Sequence, residues 1–279
     1  MYTELLFFPH QMREEKIYPE DARKIVAKAC DGITIHPGMF ARDANGKPLQ
    51  TRVGDDRQPQ GGGAAPSPIV FDAGTGFIRL YGLGKSGVEI LNESAMTLMS
   101  ALQKSIGLCR MEVREGDLTV KMGQPTMYVM RRLVMSKKTR GNPDKESSRD
   151  RSRNRINHAD RYSSKTPYIQ DYFGKSATDC EEAIRLEIMR SIATTAQWMD
   201  EELENFGQDT LLGQLPLHKD STWDLDVLEG ESVPIEIKPG IKAAAFKNVT
   251  FCTNLEMDGP WAAGKLRSRG YGLIRRRIF

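Results

Sequence analysis

Phosphate-gripping chemistry is concentrated at the end of this chain. Between Gly264 and Arg277 three glycines (Gly264, Gly270, Gly272) stand among six cations (Lys265, Arg267, Arg269, Arg275, Arg276, Arg277), and no carboxylate neutralises them. Glycine takes positive φ and lets a backbone come close to a ligand. Exposed backbone amides and guanidinium forks together suit phosphate oxygens. Ser268 and Tyr271 belong to the same stretch. A glycine turn followed by a solvated basic tail would account for the composition too. The lead-in favours the first reading: Val249–Met257 alternates apolar and polar residues as a half-buried strand does, and Asp258, Gly259 and Pro260 form a turn signal.

A second basic region lies mid-chain. From Arg131 to Lys165 twelve cations face four acids, so this segment carries +8 while the whole protein carries only +3. Such a patch is the electrostatic footprint of nucleic-acid binding. Within it Arg149, Arg151, Arg153 and Arg155 occupy every second position, with Arg140 upstream. On a helix they would divide between two faces. Asn and Asp neighbours disfavour a strand, so the segment is expected to be a helical finger or to fold on RNA. A solvated charge run would mix its acids more evenly. Aromatics are scarce there, which points to recognition of backbone and shape rather than base stacking.

Proton transfer near neutral pH calls for histidine. Of His10, His36, His158 and His218, His36 has the strongest case, because His36, Pro37 and Gly38 make a turn between elements. Cys30, Cys109, Cys180 and Cys252 are scattered without C-x-x-C spacing, and no carboxylate motif accompanies Asp200, Glu201, Glu202 and Glu204. A metal site is therefore not expected, no cofactor is implied, and the thiols fit a reducing cytoplasm. The acidic run reads as a solvated helix face. Gly82-Leu83-Gly84-Lys85-Ser86-Gly87 matches G-x-G-x-x-G, but its surroundings are not those of a dinucleotide fold, and it reads as a glycine-rich turn. No apolar run is long enough to span a bilayer, so no membrane partner is expected.

The elements that must position these residues form two related units. Thr3–Phe8 reads as a strand, a helix opens at Pro19, and Ile33–Ile35 reads as a short strand. Strands at Ile69–Phe71 and Phe77–Tyr81, a helix over Val88–Leu102, and a hairpin of Cys109–Val113 with Leu118–Met122 follow. Residues 43–68 hold few large apolar residues and read as a loop. A strand at Met127–Met135, a helix capped by Thr178 and Glu181, and strands at Ser232–Ile237 and Ala243–Met257 make the second unit. The fold class is α+β: two ferredoxin-like (RRM-like) modules, residues 1–125 and 126–279. The arginine-rich insertion, 137–175, interrupts the second.

Strand, turn, Gly/Arg loop and terminal strand resemble the glycine-rich loop of the repeat-associated RNA-binding proteins of CRISPR systems, and in particular of their repeat-specific endoribonucleases. The arginine-rich insertion is more similar to the processing nuclease of type IV CRISPR systems. The resemblance implies an endonuclease that binds the hairpin of CRISPR repeat RNA, cuts it without metal to leave a cyclic phosphate, and stays on the crRNA with other effector-complex subunits. It carries the general acid/base role by position to His36, with Arg23 and Arg42 as arginines that could share or replace it. RNA contact is carried to Lys265, Arg267, Ser268, Arg269, Gly270 and Tyr271. A non-catalytic RNA-binding subunit of an effector complex is the alternative.

Overall fold

The structure, a computed structural model, describes residues 1–41, 52–53, 63–64, 66–136, 169–204, 210–215, 224–238 and 241–277. The first module is built from β1 (Tyr2–Pro9), α1 (Pro19–Ala29), β4 (Ile69–Gly74), β5 (Phe77–Leu83), α2 (Gly84–Ile106) and β6 (Cys109–Gly116). Between α1 and β4, the two-residue strands β2 (Arg52–Val53) and β3 (Gly63–Ala64) pair with each other. They are nearly all that is described of the expected 43–68 loop.

Sheet order β4-β5-β1-β6 with antiparallel pairing throughout is the ferredoxin-like arrangement. Alternation along β1 explains the packing. Leu5 and Phe7 join Val26, Leu91 and Leu98 from the helices in one core, whereas Tyr2 and Glu4 lie on the opposite face.

The second module repeats the plan with one omission. It comprises β7 (Thr119–Ser136), α3 (Glu181–Glu202), β8 (Leu225–Lys238), β9 (Ile241–Asp258) and β10 (Ile274–Arg276), in the order β10-β7-β9-β8. The crossover from β9 to β10, which α2 provides in the first module, is here the Gly/Arg segment. Buried residues Ile184, Ile188 and Ile192 of α3 pack with Tyr128, Phe246 and Phe251 of the sheet, and this core extends to Val70, Tyr81 and Leu83 of the first module.

Three local expectations are corrected. Ile33–Ile35 is not a strand; the chain passes directly into a 3-10 turn at Pro37–Phe40. Leu118–Met122 forms no hairpin with β6, because β7 pairs with β9 from Thr119 onward, with a bulge between Met122 and Thr126. The division at 125/126 falls inside that bulge. The capping box before α3 is Ser176 with Asp179: Asp179 N–H donates to Ser176 Oγ at 3.1 Å and Ser176 N–H to Asp179 Oδ2 at 2.8 Å. The Ser176 hydroxyl, which donates to Asp179 Oδ2 at 2.7 Å, and then the Ser176 N–H hold the Asp179 carboxyl below its ordinary range.

Candidate active site and RNA interface

The Gly/Arg segment is clamped from three sides. Along β7, Val134 O accepts from Lys265 N–H and Arg132 O from Gly272 N–H, each at 2.8 Å, so the loop continues the edge that β10 occupies lower down. Within the loop, Ala263 N–H donates to Gly272 O at 2.9 Å. On α3, Glu187, Ser191 and Thr195 recur every four residues and so share a face. Lys265 Nζ pairs with Glu187 Oε1 at 2.9 Å, Gly264 N–H donates to Ser191 Oγ at 3.0 Å, and Arg267 Nη1 donates to Thr195 Oγ1 at 3.2 Å.

The three glycines have positive φ (83°, 81° and 75° for Gly264, Gly270 and Gly272), but protein fills the space beside them. A Cβ would meet Leu133 and Val134 at Gly264, the Pro19 carbonyl at Gly270 and the Ala263 carbonyl at Gly272. The expectation that Gly270 clears a path for a phosphate is corrected: its missing side chain lets the loop dock on the start of α1. Tyr271 is buried with Val134, Ile235, Ala243 and Ala245, and burial pushes its phenol upward. Desolvation pushes the half-buried Arg267 guanidinium downward against the pull of Glu187. Ser268 and Arg269, in the 3-10 turn Arg267–Arg269, are partly exposed, as is Lys265.

Helix α1 links this loop to the candidate catalytic residues. Pro19, under Gly270, and Arg23 are four residues apart and share a helix face. Arg23 Nη2 donates to Phe40 O at 3.3 Å and its guanidinium lies 5.5 Å from the Phe40 ring centre. Phe40 ends the turn that His36 begins. His36 is exposed, and its Nδ1 accepts from Gly38 N–H at 3.1 Å, which puts the proton of the neutral ring on Nε2. The fold therefore brings Arg23 and His36 to opposite ends of one turn. Arg42, Arg140, Arg149, Arg151, Arg153 and Arg155 lie outside the described residues, as do His158 and His218.

Several charged groups have partners that spacing did not reveal. The acidic run is not merely solvated: buried Asp200 accepts from Leu211 and Leu212 N–H at 2.8 Å each. Glu202 Oε2 accepts from Ser86 N–H at 2.9 Å, so a carboxylate of the chain occupies the helix entrance inside the G-x-G-x-x-G stretch. Among the described residues no group of three or more His, Cys, Asp or Glu side chains stands where it could hold a metal ion.

Between the modules is a cleft of about 390 Å³ lined by Asp72, Phe77, Arg79, Trp261 and Arg275 among others. Buried Asp72 pairs there with Arg275 of β10 and accepts from Ala73 N–H at 2.7 Å, with Arg79 at 3.9 Å. Burial pushes its carboxyl upward, and Arg275 is the main force pulling it back. Arg275→Ala should leave this carboxylate short of a partner and cost about 1–3 kcal/mol. Arg276→Ala, at an exposed position, should stay within about 0.5 kcal/mol. Urea unfolding of the two variants checks this; equal midpoints would contradict it.

Comparison with known proteins agrees with this architecture. The family model for the type IV CRISPR-associated endonuclease Csf5 matches residues 1–278. Among solved structures, the chain is similar to Csf5, a CRISPR-Cas type IV Cas6 crRNA endonuclease, with TM-score 0.59 and 16% identity over 100% of both chains. It is similar also to Cas6b, with TM-score 0.53 and 12% identity over 99% of this chain and 100% of the other. No curated protein matches significantly. At these identities the structural likeness speaks for the fold, while the family match spans nearly the whole chain. The chain belongs to the family of type IV CRISPR-associated endonucleases of the Cas6 type.

Proposed function

We propose that this protein binds the hairpin of CRISPR repeat RNA and cuts it by metal-independent attack of an internal 2′-hydroxyl. The 2′-oxygen bonds to phosphorus as the bond from phosphorus to the 5′-oxygen breaks. The 2′-proton leaves to a base and the departing 5′-oxygen gains a proton, giving a cyclic phosphate and a 5′-hydroxyl. His36 takes part in proton transfer, Arg23 stabilises the phosphorane, and Lys265, Ser268 and Arg269 hold the RNA backbone beside them. The protein then keeps the crRNA as a subunit of the effector complex.

The observation that carries this reading is the placement of Arg23. It lies one helical turn from the residue on which the Gly/Arg loop docks, and it holds the far end of the turn begun by His36. A repeat RNA with one 2′-deoxy nucleotide before the scissile phosphate should bind normally and remain uncut. Normal cutting of that substrate would overturn the mechanism.

The arginine-rich insertion is the proposed hairpin contact. Replacing Arg149, Arg151, Arg153 and Arg155 with Ala should flatten the dependence of log affinity on log salt by about 3, close to one counterion per lost phosphate contact. The melting temperature should hardly move, because the second module has its own core. Unchanged affinity and slope at moderate salt would contradict this role.

A further inference from the structure

At the entrance of α1 a charged cluster gathers beside the loop. Arg131 and Arg132 are consecutive on β7, yet both guanidiniums reach Oε1 of Glu20, Arg132 at 2.8 Å. Neighbours on a regular strand point to opposite faces. Opposite them Asn248 of β9, between the paired residues Lys247 and Val249, takes φ +53°, where the pairing of β9 with β8 shifts register while that with β7 does not. The Arg131 guanidinium lies 3.4 Å from the Tyr18 ring centre, with Lys16 Nζ 5.7 Å from the same ring. Glu20 is buried, whereas each arginine side chain remains 34% exposed.

The arrangement has the charge and geometry to suit an anion. One carboxylate carries one negative charge and cannot neutralise two guanidiniums, so the pair retains net positive charge. Stacking on Tyr18 and the bond to Glu20 fix the plane of a fork that would otherwise lose rotamer freedom on binding. Each guanidinium has five N–H donors and gives one terminal nitrogen to Glu20. The loop lies beside it, since a Cβ at Gly270 would meet Pro19 O and the Glu20 nitrogen.

We propose that Arg131 and Arg132 form a phosphodiester-binding subsite that seats the RNA backbone at the start of α1, with Glu20 and Tyr18 as positioning residues. The proposal rests on the reading of the protein as a repeat-RNA nuclease.

Fluorescence anisotropy with a labelled, 2′-deoxy-blocked repeat RNA over a salt series tests it. Arg131→Ala with Arg132→Ala should weaken binding about tenfold or more and flatten the salt slope by about 1.4–1.8. Lysine at both positions should restore the slope but only part of the affinity, because it lacks the planar fork. Glu20→Gln should keep the slope, since both cations remain. A purely structural tie between β7 and α1 predicts instead that the double Ala variant and Glu20→Gln lower the melting temperature alike and leave the slope at its wild-type value. That result would overturn the subsite alone if wild type binds and cuts the unmodified repeat. Failure of wild type to bind the RNA would overturn the nuclease reading with it.

Discussion

Replacing His36 with alanine is expected to slow cleavage of repeat RNA by about 10²- to 10⁴-fold, the range that a positioned acid or base supplies, while the affinity for RNA stays nearly unchanged. The ring is exposed at the start of a turn, and its Nδ1 accepts the Gly38 amide. Two roles are therefore combined in one side chain: capping the turn and presenting Nε2. His36→Asn separates them. Asparagine has a carbonyl oxygen able to accept the Gly38 N–H, and it is among the preferred capping residues, but it has no group that titrates. The variant should keep the turn and be as inactive as His36→Ala. Single-turnover rates with excess enzyme measure this directly. Recovery of activity by His36→Asn would reduce His36 to a cap and move the proton chemistry elsewhere.

Gly272→Ala should destabilise the fold by about 3 kcal/mol or more. Gly272 has φ +75°, its amide bonds Arg132 O, its carbonyl accepts from Ala263, and a Cβ would overlap the Ala263 oxygen. Both sources of cost fall on backbone that cannot rotate away. Gly174 is the matched control: φ is +73°, but nothing lies within 4 Å of an added Cβ. Gly174→Ala should cost only the left-handed penalty, about 1–2 kcal/mol. Urea unfolding of both variants gives the difference. Equal losses would show that the loop yields at Gly272.

Residues whose burial follows a local period were legible in the sequence. Leu5 and Phe7 on β1, Leu91 and Leu98 on α2, and Ile184, Ile188 and Ile192 on α3 repeat at strand or helix spacing, and each faces a core. The Gly/Arg segment was legible as a special loop, because so many glycines and cations have little use elsewhere. What its glycines face was not legible. Gly270 backs onto Pro19 across some 250 residues of sequence, and no local pattern records that contact. The same holds for Glu202 at Ser86 and Asp200 at Leu211, carboxylates that read as solvated in sequence and are turned inward by tertiary pairing, and for the pairing of Glu20 with Arg131. The β6–β7 hairpin failed for a related reason. A Gly116-Asp117 turn signals a change of direction, not which strand comes next, and β9 offered β7 a longer partner. His36 and Arg23 were singled out by position along the chain; their placement at the two ends of the 3-10 turn Pro37–Phe40 rests on the bond from Arg23 to Phe40 O, which no local pattern records.

Incubation of the purified protein with the unmodified repeat RNA in excess EDTA, followed by mapping of both product ends, tests the central claim most directly. The account predicts cutting at one position at an undiminished rate, a 2′,3′-cyclic phosphate on the upstream fragment and a 5′-hydroxyl on the downstream one. Loss of cutting in EDTA, or a 5′-phosphate on the downstream fragment, would contradict it.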